Sequence, residues 1–433
     1  MTWPTVPLKR VCRLQSGLTI DGDRRVSGDT VTRPYLRVSN VQAGWLDLSS
    51  VSEVTVTSRM AASSTLRPGH VLMTEGGDLD KLGRGTVWRG EIANCLHQNH
   101  IFALRPEEGV LEPRFLAYVT QGMPSRHYFE STGTKTTNLA STNSSKILNM
   151  PTPLPPFEEQ RRIADFLDTE SSRVDSLSLL RTQTLQLLFE RQESRIDGLV
   201  RGTSHCDKIT AEYPTLGEVP ANWAQGRLRN IDCSVQTGPF GSQLHAADYV
   251  DGGWPVVNPA NITSQGLVAD RRSTVGEDVR TRLGAHILQR GDVVFGRRGE
   301  LGRAGVVSAT EEGWVCGTGS LRVRFRSDSF DSEYLRRFLA ISAVRHYFAL
   351  NAIGTTMANL NTSILLNMPL LIPCLEEQRE IARLCTMAED DARVVRRRIA
   401  RQVTLLAERK QALITAAVTG QLDVTTARRV EVS

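Results

Sequence analysis

The sequence predicts an α+β protein made by internal duplication: two mixed α/β domains joined by two long helices that form an antiparallel coiled coil, with a pseudo-twofold relation between the halves. Three observations lead there. The stretch Pro155-Pro156-Phe157-Glu158-Glu159-Gln160-Arg161-Arg162-Ile163-Ala164 returns as Pro373-Cys374-Leu375-Glu376-Glu377-Gln378-Arg379-Glu380-Ile381-Ala382, a shift of 218 residues from Glu158 to Glu376. The same shift carries Leu188 to Leu406, Glu190-Arg191 to Glu408-Arg409, Val200 to Val418 and Gly202 to Gly420. No proline interrupts residues 157–213 or 374–433.

Each copy opens as a helix opens. Prolines precede it, and two carboxylates sit in the first turn, facing the positive end of the helix dipole. Behind them Ile163, Leu167, Val174, Leu177 and Leu188 in the first copy, and Ile381, Leu384, Val395, Ile399, Leu406 and Leu413 in the second, recur at sums of three and four. That is a seam of coiled-coil type, narrow enough to want one partner helix. Two separate amphipathic helices, each on its own domain, would also give the spacing. Their length argues otherwise: Phe157 to Leu199 spans about 63 Å at roughly 1.5 Å per residue, several times a common helix. Charge agrees with mutual pairing, because residues 157–202 hold 7 Arg and 9 Asp/Glu while residues 374–420 hold 9 Lys/Arg and 7 Asp/Glu.

The parts in order are a domain over 1–155, a helix over 156–202, a domain over 203–373, a helix over 374–420 and a tail over 421–433. In the first domain Pro34 to Val41 reads as a strand, Arg67 to Met73 as a turn feeding another strand, and Pro113 to Glu130 as helical. The second domain repeats these with drifted sequence: Pro255 to Ile262 stands for Pro34 to Val41, Gly291 to Phe295 for Gly69 to Met73, and Leu301-Gly302-Arg303 for Leu82-Gly83-Arg84. Arg126-His127-Tyr128-Phe129 recurs as Arg345-His346-Tyr347-Phe348. Since the first helix carries the chain away from domain one and domain two begins soon after it, the second helix packs on the first only by running back.

Composition bounds the function classes. At 433 residues, 40% hydrophobic and 23% charged, the chain has room for two or three cores. No apolar run approaches the roughly twenty residues of a membrane span, and Met1-Thr2-Trp3-Pro4 lacks a signal layout, so a cytoplasmic protein is expected. The seven cysteines form no Cys-x-x-Cys pair and suggest neither a zinc site nor a disulfide framework. Net charge is +5, and only 6 of the 52 cationic residues are Lys. Arg reads guanine edges and phosphates well, although a GC-rich genome favours Arg codons for its own reasons.

At this point the chain resembles the specificity subunit of a type I restriction-modification enzyme. The resemblance rests on the two Pro-x-x-Glu-Glu-Gln-x-x-Ile openings, on Gly217-Glu218-Val219-Pro220-Ala221-Asn222-Trp223, on Gly354-Thr355-Thr356-Met357-Ala358-Asn359-Leu360, and on Ala416-Ala417-Val418-Thr419-Gly420-Gln421-Leu422. The first half departs from it at Gly133-Thr134-Lys135-Thr136 and begins with a bare Trp3-Pro4. The resemblance implies that each globular part is a target recognition domain reading one half of a split double-stranded DNA sequence, and that the helices set the spacing and dock two modification (methyltransferase) subunits. Restriction subunits would join through these. It implies no catalysis, cofactor or metal in this chain; S-adenosylmethionine, ATP and Mg would sit on the partners. Two alternatives stay open: a smaller restriction system with a fused catalytic partner, and a coiled-coil adaptor that binds no DNA.

The residues themselves carry no catalytic pattern. Asn258-Pro259-Ala260-Asn261 lacks the second proline and the aromatic of an amino-methyltransferase turn. Gly133-Thr134-Lys135-Thr136 has no glycine before its lysine, as a phosphate loop would. Glu408-Arg409-Lys410 has a nuclease-like spacing but lies within the second long helix, and its copy reads Glu190-Arg191-Gln192. The eight histidines show no ligand or triad spacing. Candidate DNA contacts lie in glycine-rich loops, where the missing side chain lets backbone approach a groove: Lys81 and Arg84 between Gly76 and Gly85, Lys135 after Gly133, and Arg297, Arg298 and Arg303 between Gly296 and Gly305. Solvated turns with ordinary surface charge would look the same, and Thr355 and Thr356 read as structural corners.

Overall fold

The computed structural model describes residues 3–19, 28–77, 82–135, 140–240, 243–263, 266–299, 301–352 and 360–424; Lys81, the run from Gly354 to Asn359 and the tail beyond Val424 lie outside them. Both long helices are continuous, Phe157–Val200 and Leu375–Val418, at 44 residues each. Packing divides the chain into two compact units, Met1–Thr182 with Ala400–Ser433, and Gln183–Ile399. Each unit therefore holds the first part of one long helix and the last part of the other. The sequence-based boundaries separate helices from domains, whereas the cores do not: Ile163, Leu167, Ile414, Ala417 and Val418 belong to the core of the first unit. Val200, Ile381 and Cys385 belong to that of the second.

The centre of each unit is a four-stranded antiparallel sheet. In the first unit its order is Cys12–Ser16, Ile101–Pro106, Val71–Thr74, Gly85–Val87. In the second it is Cys233–Thr237, Ser320–Phe325, Val293–Gly296, Ala304–Val306. Side chains alternate across a strand, so a run such as Val71-Leu72-Met73, buried throughout, feeds two cores at once. Val71 and Met73 face the core that includes the helices, and Leu72 faces another with Leu36, Trp88 and Cys95. Val293 and Phe295 divide from Val294 in the same way. A second three-stranded sheet follows the same plan in both units. Thr30–Leu36 pairs antiparallel with Ser52–Thr57 and parallel with Leu96–His97, and Tyr249–Val257 pairs antiparallel with Thr274–Val275 and parallel with Val315–Cys316.

The expected helix over Pro113 to Glu130 is two helices, Pro113–Gln121 and Met123–Thr132, because Gly122 and Pro124 end one and start the next. Ser332–Leu339 and Ser342–Asn351 are their counterparts. Within each unit the two long-helix segments run antiparallel. In the first, Ile163 and Leu167 share a core with Ile414 to Val418, while Asp175 further along meets Lys410 at 2.7 Å. In the second, His205, just past one helix, meets Glu377 at the start of the other at 3.1 Å, and Ile196 to Val200 pack with Ile381 and Cys385.

Two of the seam positions fall outside the buried line. Ile163, Leu167, Val174, Ile381 and Ile399 are buried, and Leu188, Leu384, Leu406 and Leu413 are half-buried, but Leu177 and Val395 are 47% and 40% exposed. The covered positions alternate by four and three through Ala164, Leu167, Ser171, Val174, Ser178 and Leu185, and through Ala392, Arg396, Ile399 and Val403. Small or long polar residues hold the register where the nearest apolar residue sits one place aside.

Candidate nucleic-acid interface

The loops that leave the C-terminal end of Val71–Thr74 and of Val293–Gly296 are held in one backbone frame in both units. The Glu75 N–H donates to the carbonyl of His100 at 2.9 Å, and the Arg297 N–H donates to that of Gly319 at 2.9 Å. The carbonyl of Glu75 accepts from Thr142 N–H at 2.8 Å, and that of Arg297 from Leu360 N–H at 2.9 Å. Strand register makes the equivalence independent of sequence, since Thr74 pairs with Ile101 as Gly296 pairs with Ser320.

In the second unit this frame gathers cations beside an aromatic ring. Gly238 lies against the Gly317 carbonyl so closely that a Cβ would collide with it, so two loops pack backbone on backbone. Phe240, two residues on, is 55% exposed. The Arg297 guanidinium lies over its ring at 5.8 Å and donates from Nε to the Leu360 carbonyl at 3.0 Å. Burial, and then the charge of Arg298, lower the pKa of Arg297 from the usual guanidinium value. Arg298 is exposed and has no ion-pair partner among the described residues. Two adjacent guanidiniums, one oriented and one open to solvent, suit a phosphate or a guanine edge.

The first unit has the opposite charge in the same place. Glu75 pairs with the exposed His100, Nδ1 to Oε2 at 2.5 Å. Next to them Gly76–Gly77 pairs with Ala140–Ser141, which pairs in turn with Thr134–Lys135, so the structure brings the Lys135 backbone to this edge. Neither Glu75 nor His100 is marked in the sequence, where no motif surrounds them. Phe240 is better announced, by an aromatic inside a Gly-Pro-Phe-Gly turn.

Arg84 and Arg303 stand at the far ends of the same loops, one residue before the strands Gly85–Val87 and Ala304–Val306, and the Arg303 carbonyl accepts the Gly296 N–H at 3.4 Å. Each follows a glycine in the left-handed region, Gly83 at φ 67° and Gly302 at φ 88°. A side chain there would strike the Phe129 ring or the Leu339 carbonyl, so the glycine presses each loop onto a helix. Both arginines are half-buried and neither lacks a partner. Arg303 lines a cleft of about 750 Å³ with Glu193, Arg337, Arg345 and Glu389, where Arg337 is ion-paired to Glu389. In the second unit Arg297 and Arg298 open the loop and Arg303 closes it, with Gly302 seated on a helix; in the first unit Arg84 closes the equivalent loop, the Lys135 backbone stands at its edge, and Lys81 lies outside the described residues. Among the described residues no group of three or more His, Cys, Asp or Glu could hold a metal ion.

A family model described as type I restriction modification DNA specificity domain matches residues 1–179 and 220–389, most of the chain. The chain belongs to that family. The two matched segments fall one on each unit's globular part, so each unit carries a specificity domain. Among curated proteins, two type I specificity subunits of Methanocaldococcus jannaschii are 21% and 22% identical over 53% and 61% of this chain. The chain spans 52% and 61% of their lengths. The type I restriction enzyme StySPI specificity subunit of Salmonella potsdam is 23% identical over 97% of this chain and 89% of its own. A solved structure concerned with complex assembly and conformational transition of the type I R-M system contains a chain with TM-score 0.73 and 20% identity, covering 97% of this chain and 98% of that one. At that identity the likeness is one of fold.

Proposed function

We propose that this chain is the DNA sequence-recognition subunit of a type I restriction-modification complex, with each specificity domain reading one half of a bipartite double-stranded DNA target. The observation that carries this reading is a duplicated specificity domain whose equivalent loop frames differ in charge. Two such readers in one chain suit a target of two unlike halves. The chain performs no chemistry itself. Two modification subunits dock on the long helices and bring S-adenosylmethionine, and restriction subunits join them with ATP and Mg. No helix among the described residues is long and apolar enough to cross a membrane, and we place the complex in the cytoplasm. Exposed apolar residues on both long helices, Leu177 and Leu187 on one and Val395 and Leu405 on the other, stand at positions related by the 218-residue shift, as docking sites for two copies of one partner would.

The test is to express the chain with its modification subunit and to sequence methylated DNA. Methylation confined to one split motif is the expected result, with none from the chain alone. Methylation without sequence preference, or methyl transfer by the isolated chain, overturns the reading.

A further inference from the structure

We infer that Glu75 with His100 in the first domain, and Arg297 with Arg298 in the second, are the specificity-determining residues at one equivalent place in the two half-sites: the first pair takes an exocyclic amino group of adenine or cytosine, the second the O6/N7 edge of guanine. The inference rests on the DNA-reading function proposed above and adds to it which residues discriminate and which base chemistry each selects.

Residues 75 and 297 stand in a matched frame. Four backbone hydrogen bonds, two per unit and all between 2.8 and 2.9 Å, fix residues 75 and 297 in the same setting. A frame built twice with the same bonds serves the fold, while the side chains it presents are left to vary. They vary in sign. Glu75 is an acceptor whose Oε2 is held by His100, and among the described residues no donor bonds its other carboxylate oxygen. An acceptor facing a major groove pairs with the amino group of cytosine or adenine and meets repulsion from the acceptor edge of guanine. Arg297 is a donor, as is Arg298, and a guanidinium matches guanine O6 and N7 bidentately.

The supports differ in the way these roles require. His100 is replaced by Gly319, which packs on Pro259 so closely that a Cβ would meet it at 2.8 Å, so no side chain stands there to pair with residue 297. Arg297 is oriented instead from below by Phe240 and sideways by the Leu360 carbonyl, which uses Nε and spares the terminal nitrogens. In the first unit Thr142 replaces Leu360 and offers its N–H to the same carbonyl. A guanidinium set on an aromatic loses less freedom on binding than one in solvent, so selection rather than mere attraction is expected of it.

The experiment transplants one pair onto the other frame. The full chain assembled with its modification subunit carries Glu75→Arg, alone and together with His100→Gly, and separately Glu75→Gln; methylated sites are sequenced for each. In the arginine variants one base of the first half-site changes from adenine or cytosine to guanine, and the second half-site is unaltered. The Glu75→Gln variant, which keeps size and removes charge, relaxes the same single position by tenfold or more in preference. Arg298→Gln relaxes one position of the second half-site only. A first half-site unchanged in Glu75→Gln and in both arginine variants overturns the inference while leaving DNA reading intact. A uniform fall in methylation on all sequences also overturns it, making these residues backbone contacts. If an arginine variant loses the first half-site altogether, Glu75→Gln decides. A wild-type complex with no split motif overturns the underlying function instead.

Discussion

Gln160 and Gln378 make the same bonds in the two units. Each is buried, and its Oε1 accepts the backbone N–H that begins a short helix, from Glu112 at 2.8 Å in one unit and from Asp331 at 2.8 Å in the other. Each Nε2 donates to the carbonyl of the proline five residues back, Pro155 or Pro373, at 2.9 Å. The repeated Pro-x-x-Glu-Glu-Gln stretch is thus a clasp between a long helix and the helix beside it. Gln160 adds a bond to the Val110 carbonyl at 2.9 Å. Gln160→Leu strands one buried donor and two acceptors and is expected to cost about 2–4 kcal/mol. Gln378→Leu strands fewer and costs less. Urea unfolding of the two variants checks the order, and equal stability to wild type refutes it.

Asp292 is the buried anion of the second unit. Arg324 meets it bidentately, at 2.7 and 2.6 Å, and the Gln289 N–H adds a third bond at 2.8 Å. Arg322 lies close by, its pKa lowered by burial and then by Arg324. Asp292→Asn leaves two guanidiniums without their counter-charge and is expected to cost about 3–5 kcal/mol. Asp292→Asn with Arg324→Met should regain part of that loss, because no unpaired charge then remains at 324. A double variant less stable than the single one would contradict this account.

The first unit fills the equivalent place with His70, next to Arg105. Burial, then Arg105, His97 and Arg67, lower the His70 pKa to about 4. Burial likewise takes His97, fully covered, to about 4 against the opposing pull of its bond to the Ile101 carbonyl. Both are neutral in the fold, whereas the unfolded chain takes up protons near pH 6.5. Their stabilisation is therefore complete above pH 6.5 and is lost as the pH falls towards 4, at up to about 1.4 kcal/mol per pH unit for each. The protection of the Val71–Thr74 amides, taken relative to the intrinsic exchange rate at each pH, should fall over that range, and His97→Gln should remove about half of the slope. A flat profile between pH 6.5 and 4.5 would exclude the mechanism.

The long helices and the doubling of the chain were legible in the sequence because both are written locally, in a Pro-Glu-Glu-Gln start and in apolar spacing. The equivalence of Glu75 with Arg297 was only half legible. The match of Gly69–Met73 with Gly291–Phe295 reaches it two residues further on, but there an acid stands opposite a base, and strand register with the shared backbone bonds decides it. Arg84 and Arg303 share a motif with Gly83 and Gly302, but the glycines turn out to seat each loop on a helix, a tertiary contact that no spacing reveals. Gln160 looked like part of a helix start; its partners, Val110 and Glu112, lie about fifty residues away.

In the seam the buried register and the apolar pattern part company. Val174 is 5% exposed and Leu177 47%, although both are apolar and both fit a three-and-four rule. The covered line runs from Val174 to Ser178, so Leu177 stands one place off it. An aspartate at 174 is a charge moved out of water with no partner provided, while one at 177 keeps its hydration. Val174→Asp should cost at least about 3 kcal/mol, and Leu177→Asp should fall within about 0.5 kcal/mol of wild type. Leu177→Asp should instead weaken co-purification with the modification subunit, since an exposed leucine on a long helix is the kind of residue a partner covers. Thermal melting of both variants, with pull-down of the partner, separates fold from docking. If Leu177→Asp melts as early as Val174→Asp, the register is the simple apolar one; if it neither melts early nor loses the partner, that face of the helix is plain surface.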